Sequence, residues 1–223
     1  MKGIVAANTL DEFVSELVVR YIHITPGKNT HNSLGFNSDP LKSHCDISYY
    51  GCSFTHGNGV ENNQRWTDII DLEKRYQSNN FGISGCSIDD ILSIFVATTK
   101  FVKMKKALFL LPDYVRQTIK EQNDQFINIF PNDNTITSQH PWFLLPEFYY
   151  SDRAQTAINL ISYIANINNI EVYFSSWSPE VFELLPVDKR TKNYHKTDYM
   201  GTDKLHPGPA IHRNIANEFM ELL

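Results

Sequence analysis

Strand-like and helix-like segments alternate regularly from Asp46 onward, and this alternation constrains the fold more than any other feature of the chain. Short apolar runs typical of buried strands lie at Ile47–Tyr50, Asn79–Ile83, Lys106–Leu111 and Ile170–Phe174. Segments with helical periodicity separate them. Because two parallel strands need a long, usually helical crossover between them, the pattern predicts an α/β fold built on a parallel sheet.

Several of the helical segments carry recognisable start signals. Ser87 and Asp90 form a capping-box pattern ahead of an apolar stripe, Ser151 is placed to cap a long helix, and Pro209 falls in the first turn of a C-terminal helix. Two more helices are predicted at Asn63–Gln77 and Pro179–Leu185.

Two segments interrupt this regular pattern. Residues 1–45 combine a predicted helix, Leu10–Ile22, with a loop rich in Gly, Pro, Asn and Ser at Thr25–Ser43, and we interpret them as an extension of a domain that spans 46–223. An insertion at 122–150 holds a candidate strand, Phe126–Phe130, and a predicted loop at 140–150. Its aromatic side chains either line a substrate groove or fill the core beneath a long loop.

Charge and cysteine content exclude some classes of function. The 223 residues carry a net charge of −5 with no dense basic block, which argues against a nucleic-acid partner. Three cysteines, an odd number, and no secretory leader pattern predict reduced thiols and a cytoplasmic location. No stretch has the ~20 apolar residues of a membrane span.

The chemistry of the chain centres on Gly51-Cys52-Ser53, a serine on a glycine turn directly after the first predicted strand. A serine hydroxyl becomes nucleophilic when an imidazole takes its proton and a carboxylate orients that imidazole. Both groups occur together, about 150 residues later, in Asp203-Lys204-Leu205-His206. Taken alone, the turn at Ser53 is also compatible with an ordinary strand-to-helix connection.

Together these motifs resemble the SGNH (GDSL-like) hydrolase family. The resemblance implies a three-layer α/β/α sandwich with a flavodoxin-like, mostly parallel central sheet, and a catalytic triad of Ser53, His206 and Asp203. A second family block is similar to Asn80–Ser87, which implies that the amides of Gly85 and Ser53 form the oxyanion hole. Cysteine at position 52 replaces the aspartate of the family's Gly-Asp-Ser block.

The family's Gly-x-Asn-Asp block is the clear departure. The chain reads Leu111-Pro112-Asp113-Tyr114-Val115-Arg116 after the third strand, so that Asp113 matches the last residue of the block and no Asn precedes it. Loss of one oxyanion donor typically costs about a hundredfold to a thousandfold in rate. The Tyr114 hydroxyl and the Arg116 guanidinium are the candidate replacements.

Further polar residues near the motifs have competing interpretations. His56 and Trp177 are candidate substrate-binding residues because they follow the first and last sheet strands, although a histidine in a turn is usually only solvated. His212 lies in the C-terminal helix and is expected to hydrogen-bond nearby groups or face solvent. Asp198 is a less suitable orienting carboxylate than Asp203. If strand geometry continues, the Cys52 side chain points away from Ser53.

The histidine spacing shows no metal-site pattern, and no cofactor is expected. Three function classes follow from the residues and the resemblance. The first is an esterase or deacylase acting on a small or carbohydrate-linked ester, and the second is an acyltransferase with the same triad. The third is a catalytically inactive relative that binds carbohydrate or a partner. The oligomeric state stays open.

Overall fold

Four parallel strands form the central sheet of the protein in a computed structural model that describes residues 41–120, 126–129, 147–195 and 201–223. The strand order is β2-β1-β3-β6, and a separate antiparallel hairpin pairs β4 with β5. The strands are β1 (His44–Gly51), β2 (Ser78–Gly82), β3 (Lys103–Leu111), β4 (Gln117–Lys120), β5 (Phe126–Ile129) and β6 (Glu171–Ser176).

The register of the sheet brings the carboxyl ends of all four parallel strands to one edge. Gly51 at the end of β1 lies beside Gly82 of β2 and Leu110 of β3, and Leu110 lies beside Ser175 of β6. The chain turns toward β2 on one side of β1 and toward β3 on the other, as in flavodoxin-like sheets, which bind ligands at this switch point.

Helices cover both faces of the sheet. On one face α2 packs against α6, and on the other α3 packs against α4, which confirms the predicted three-layer α/β/α architecture. The helices are α1 (Ser53–His56), α2 (Trp66–Lys74), α3 (Ile88–Thr98), α4 (Glu147–Ile167), α5 (Pro179–Glu183) and α6 (Pro209–Met220). Within the described residues no helix is long and apolar enough to cross a membrane.

Aromatic rings line the sheet face beneath α3. Tyr50 stacks between Phe81 and Phe109 at centroid distances of 5.2 and 4.9 Å, and Phe109 stacks on Phe174 at 5.3 Å. Neighbouring rings occupy paired positions on adjacent strands. Each such pair contributes about 0.5–1.5 kcal/mol beyond the burial of its apolar area, so the row ties the four strands together.

The start of α3 confirms a signal read from the sequence. Ser87 Oγ accepts a hydrogen bond from the Asp90 N–H at 3.3 Å, and Asp90 Oδ2 accepts one from the Ser87 N–H at 2.9 Å. The capping box therefore satisfies two N–H groups that the helix itself leaves without acceptors.

Two predicted helix boundaries were wrong. The helix predicted at Asn63–Gln77 spans only Trp66–Lys74, because Asn63 and Arg75 adopt left-handed backbone conformations with φ of 72° and 58°. The long helix α4 starts at Glu147, four residues before Ser151, and the Ser151 hydroxyl donates to the Phe148 carbonyl instead of capping the helix. Residues 147–150, predicted as loop, are therefore helical.

The insertion and the extension are described only in part. The candidate strand at Phe126–Phe130 is confirmed as β5, paired with β4. The rest of the predicted 140–150 loop, the helix Leu10–Ile22 and residues 25–40 lie outside the described residues. Where the chain enters β1, the Lys42 N–H donates to Asn79 Oδ1 and the Asn79 amide donates to the Lys42 carbonyl, at 2.9 and 2.8 Å.

Candidate active site

The turn that carries Ser53 is built from glycines at the ends of two strands. A Cβ on Gly51 would lie 2.1 Å from Thr55 Oγ1, and a Cβ on Gly82 would lie 2.4 Å from the His56 nitrogen. No side chain fits at either position. The short helix α1 therefore lies directly over the ends of β1 and β2, with Ser53 as its first residue, 3% exposed.

Asn80 of β2 holds this turn from below. Its side-chain amide donates to the Thr55 carbonyl at 2.8 Å and to Thr67 Oγ1 at 3.2 Å, and its carbonyl oxygen accepts from the Gly82 N–H at 2.8 Å. Sequence reasoning missed this role. The available signal was an asparagine at a buried position of a predicted strand, where a polar side chain needs partners.

Asp203 and His206 form a hydrogen-bonded pair in the loop before α6. His206 Nδ1 donates to Asp203 Oδ2 at 2.6 Å, and Asp203 Oδ1 accepts from the N–H groups of Leu205 and His206, both at 3.0 Å. Burial raises the pKa of Asp203, but these hydrogen bonds outweigh burial and leave the pKa below its usual value. The carboxylate therefore stays charged and fixes the ring so that Nε2 is free to accept a proton.

The loop that carries this pair is attached to the nucleophile turn. The Thr202 N–H donates to the Gly59 carbonyl at 2.9 Å, and a Cβ on Gly59 would lie 3.0 Å from Asp203 Oδ1. The His206 ring packs edge-on against Phe54, the residue after Ser53, at a centroid distance of 6.2 Å. His206 is thereby held next to the turn of Ser53, although the two residues are 153 positions apart in the sequence.

The last contact of a catalytic triad is not formed in this structure. Ser53 Oγ donates to Cys52 Sγ at 3.9 Å, and within the described residues it makes no hydrogen bond to His206. The prediction that Cys52 points away from Ser53 was wrong, because Ser53 begins a helix and the alternation of a strand ends before it. Rotation about the Ser53 Cα–Cβ bond is the movement that would redirect the hydroxyl.

Gly85 lies in the turn after β2 with φ of 82°, a conformation that favours glycine. Among the described residues, the N–H groups of Gly85 and Ser53 donate to no protein acceptor. Both are therefore available to a ligand. Beside Gly85, the Asn58 amide donates to Ser84 Oγ at 3.0 Å, and His56 Nδ1 is hydrogen-bonded to Asn58 Oδ1 at 2.7 Å, which places His56 at this turn.

Asp113, Tyr114 and Arg116 follow β3 at the same edge. Asp113 Oδ1 accepts from the Val115 N–H at 3.1 Å, and burial, together with the nearby charge of Glu180, raises the pKa of Asp113. Tyr114 is half-buried against the core. Residues 111–116 contain no asparagine that could supply a third oxyanion donor.

Trp177, after β6, connects Arg116 to the nucleophile turn. The Arg116 guanidinium lies over the Trp177 ring, 4.8 Å from its centroid. The Trp177 ring also contacts Phe54, with 5.3 Å between the two ring centroids. The row from Arg116 through Trp177 and Phe54 ends at His206. Phe54 had no distinguishing signal in the sequence.

The remaining polar residues take structural positions. Cys86 Sγ donates to the Gly51 carbonyl at 3.3 Å, and burial raises the pKa of its thiol well above the usual value. His195 and His212 are both buried. Of the two alternatives expected for His212, the hydrogen bond to a nearby group is the one found, because its Nδ1 accepts from the Trp66 N–H at 3.2 Å. Asp198 lies outside the described residues. Within the described part of the chain, no group of three or more His, Cys, Asp or Glu side chains is arranged to hold a metal ion.

One cavity among the described residues lies away from this site. It has a volume of about 310 Å³ and opens at the opposite edge of the sheet, beside the amino ends of β1 and β3. Its lining includes His44, Gln77 and Lys103.

No profile of a known protein family matches this sequence, and no curated protein matches it. Solved structures do resemble it. A lipolytic protein of the G-D-S-L family from Desulfitobacterium hafniense DCB-2 has a TM-score of 0.50 and 12% identity, over 82% of this chain and 100% of its own. A protein named TesA has a TM-score of 0.50 and 14% identity, over 79% of this chain and 96% of its own.

The acetyl xylan esterase Est2A from the rumen bacterium Butyrivibrio proteoclasticus is also similar. Its TM-score is 0.51 at 13% identity, over 83% of this chain and 64% of its own. At such low identity the likeness establishes the fold alone. The protein therefore has the fold of the G-D-S-L lipolytic proteins, and the fold predicted from the sequence motifs is confirmed.

Proposed function

We propose that this protein is an SGNH-type serine ester hydrolase that uses Ser53, His206 and Asp203. One observation carries the proposal. The Asp203–His206 pair, joined at 2.6 Å, is held beside the Ser53 turn by the contact of the His206 ring with Phe54. An oriented imidazole next to a serine at a helix start is the arrangement that activates a hydroxyl for acyl transfer.

The proposed reaction has two halves. His206 Nε2 takes the proton of Ser53 Oγ as the oxygen attacks the ester carbonyl carbon, and Asp203 stabilises the imidazolium that forms. The tetrahedral intermediate collapses when His206 returns the proton to the leaving alcohol, which leaves an acyl group on Ser53. Water then attacks the acyl-enzyme with the same proton transfers, releases the acid and restores the serine.

The N–H groups of Ser53 and Gly85 are the proposed oxyanion donors, because neither donates to another described group. Both would act on charge that develops only as the carbonyl oxygen becomes tetrahedral. Residues 112–116, which follow β3 directly, include no side-chain amide. We therefore expect a slower enzyme than one with three donors, by about a hundredfold to a thousandfold.

The proposed substrate is a small or carbohydrate-linked ester. This substrate would bind at the carboxyl edge of the sheet, where the candidate residues lie. His56, Asp113, Tyr114, Arg116 and Trp177 border the site and are the proposed contacts to the rest of the substrate. The acetyl xylan esterase with the same fold motivates acetylated sugars as the first substrates to screen.

A non-catalytic binding role is the second candidate, and two observations favour it. Ser53 Oγ is turned to Cys52 Sγ, and asparagine is missing after β3. A fluorophosphonate probe separates the two functions, because it labels a serine only when a base activates it. Labelling of Ser53 supports the hydrolase, and a silent Ser53 in folded protein supports the binding module.

The decisive experiment is hydrolysis of p-nitrophenyl acetate by the wild type, Ser53→Ala and His206→Ala. The matched controls are Ser43→Ala and His44→Ala, which change the same residue types at exposed positions on the opposite edge of the sheet. We expect turnover in the wild type and both controls and none above background in the site variants. Activity retained in Ser53→Ala would refute the proposed nucleophile. Release of free acid without an alcohol acceptor distinguishes a hydrolase from an acyltransferase.

A further inference from the structure

His212 is fully buried and lies six residues after His206, in the first turns of α6. The His212 backbone N–H donates to the carbonyl of Gly208 at 3.2 Å. Gly208 is the last residue of the loop that carries His206 and lies two residues after it. With 0% of its surface exposed, the His212 ring cannot reach a substrate. Any role it has in the reaction must pass through its neighbours.

The ring makes one specific long-range hydrogen bond. The Trp66 N–H donates to His212 Nδ1 at 3.2 Å. Trp66 is the first residue of α2, where an N–H has no acceptor within the helix, and the side chain of the preceding residue, Arg65, does not cap it. His212 therefore caps α2 from another helix, and Nδ1 must be the unprotonated nitrogen of its ring.

The amino end of α2 also contacts the nucleophile turn. Arg65 is 7% exposed, and its side chain lies against Gly57, where an added Cβ would come within 2.3 Å of Arg65 Cδ. Trp66 is held in turn by stacking on Phe219 of α6 at 5.0 Å. One helix end thus touches the turn that carries Ser53 and the helix that follows His206.

The charge state of His212 suits this position. Burial, with smaller contributions from the charges of Arg65 and His206, lowers the pKa of His212 to about 4. At neutral pH the ring carries no charge and keeps Nδ1 as an acceptor. It therefore does not repel the positive charge that His206 would acquire while holding the serine proton.

We propose that His212 is a positioning residue for His206, which sets the place of the catalytic base relative to Ser53 by anchoring the start of α6 to the Trp66 N–H. The inference rests on the proposed function for its catalytic consequence. Its structural content, the anchoring of the 201–208 loop, can be measured without any substrate.

The test compares His212→Asn with His212→Leu. Asparagine carries Oδ1 where histidine carries Nδ1 and can accept from Trp66, whereas leucine fills similar space and cannot accept. For the leucine variant we expect kcat to fall by about 10- to 100-fold with KM within about twofold of wild type, because small displacements of a catalytic group have effects of this size. The asparagine variant should recover most of the loss.

Amide hydrogen exchange gives the substrate-independent readout. The Gly201 N–H donates to the His206 carbonyl at 2.6 Å and the Thr202 N–H donates to the Gly59 carbonyl, so both amides report whether the base-bearing loop is in place. Exchange at Trp66, Gly201 and Thr202 should be faster in His212→Leu and close to wild type in His212→Asn. Should the leucine variant not fold, the same exchange is measured on His212→Gln, whose acceptor is displaced by one bond.

The possible outcomes separate the inference from the proposed function. A wild type that neither hydrolyses esters nor reacts with a fluorophosphonate refutes the proposed function. In that case amide hydrogen exchange alone tests whether His212 anchors the 201–208 loop. Unchanged exchange at Thr202 in the leucine variant overturns the inference. Equal loss of kcat in the asparagine and leucine variants also overturns it, because the acceptor at Nδ1 would then be irrelevant.

Discussion

The two halves of the candidate site are built in different ways. The turn of Ser53 is buried and packs against the ends of β1 and β2, where each strand ends in a glycine. The side chain of Asn80 ties this turn to the sheet. The loop of His206 is more open, with the Asp203 side chain 34% and the His206 side chain 21% exposed, and is held by a few backbone hydrogen bonds. The proposed nucleophile is therefore placed by the core of the fold, whereas the proposed base is placed by local contacts that can change without unfolding the protein.

Asp203→Asn should impair only the His206 half of the candidate site, and we expect it to have the largest effect on kcat. An amide can no longer stabilise the imidazolium, and in a serine triad this change lowers kcat by about 10⁴-fold with the geometry intact. Because the side chain is partly exposed, we expect the free energy of unfolding to change by less than about 1 kcal/mol. The measurements are ester hydrolysis and chemical denaturation. The control is Asp188→Asn, because Asp188 is an exposed aspartate in the short 3₁₀ helix Val187–Lys189.

Acidification should destabilise the protein through His195 and His212, the two histidines that are buried among the described residues. Burial lowers the pKa of His195 to about 4, and the pKa of His212 is similarly about 4, whereas an unfolded histidine titrates near 6.5. The unfolded chain therefore binds more protons between pH 6.5 and 4, so stability is present above this window and is lost as the pH falls through it. Full titration corresponds to on the order of 3 kcal/mol for each ring.

Asp71 opposes this trend in part. Burial is the main reason that its pKa rises to about 6, so that the folded state binds the extra proton and gains stability as the pH falls from 6 to about 4. Asp113, whose pKa is also raised by burial, opposes the trend in the same way. We expect the two histidines to outweigh these carboxyls and to leave a net loss. Urea denaturation at pH 7 and pH 4.5 measures it. His212→Asn should show a shallower decline than wild type, whereas the exposed His44→Gln should leave the slope unchanged; equal slopes in all three would contradict the assignment.

A pair of glycine substitutions sharpens the contrast between the halves. In Gly51→Ala the new methyl group would lie 2.1 Å from Thr55 Oγ1 and 2.7 Å from the Leu110 carbonyl, so we expect a stability loss of about 1–3 kcal/mol from overpacking. In Gly59→Ala, at φ of 84°, the methyl group would lie 3.0 Å from Asp203 Oδ1. We expect about 1 kcal/mol of backbone strain there, with a larger relative effect on kcat than on stability.

Denaturation and ester hydrolysis of the two variants give the comparison. If Gly59→Ala unfolds as readily as Gly51→Ala while keeping full activity, the distinction between a core-built nucleophile and a locally held base does not hold.

Thr55→Val should have the smallest effect. Thr55 Oγ1 is buried and has no hydrogen-bond partner among the described residues. Replacing it by a methyl group removes an unsatisfied polar atom, so the free energy of unfolding should stay the same or rise by up to about 1 kcal/mol. Thermal unfolding measures the shift, and a clear destabilisation would show that the hydroxyl has a partner that matters to the turn.

The sequence by itself determined the order of the four parallel strands and of the helices α2 to α6, the Ser87–Asp90 cap of α3 and the edge of the sheet at which the candidate residues lie. The strand β4 and the short helix α1 were not predicted. These features depend on residues close together in the chain, through periodicity, capping and turn chemistry. The motifs around Ser53, Asp203 and His206 also pointed to the G-D-S-L fold that the solved structures share.

The tertiary structure alone decided the contacts between distant segments. The Asn80 amide reaches Thr55 across 25 residues, and the Trp66 N–H reaches His212 across 146. The boundaries of α2 and α4 and the approach of Cys52 to Ser53 were also decided there. Helix ends and side-chain directions depend on packing energies that no local pattern contains, whereas the alternation of strands and helices is present in the pattern itself.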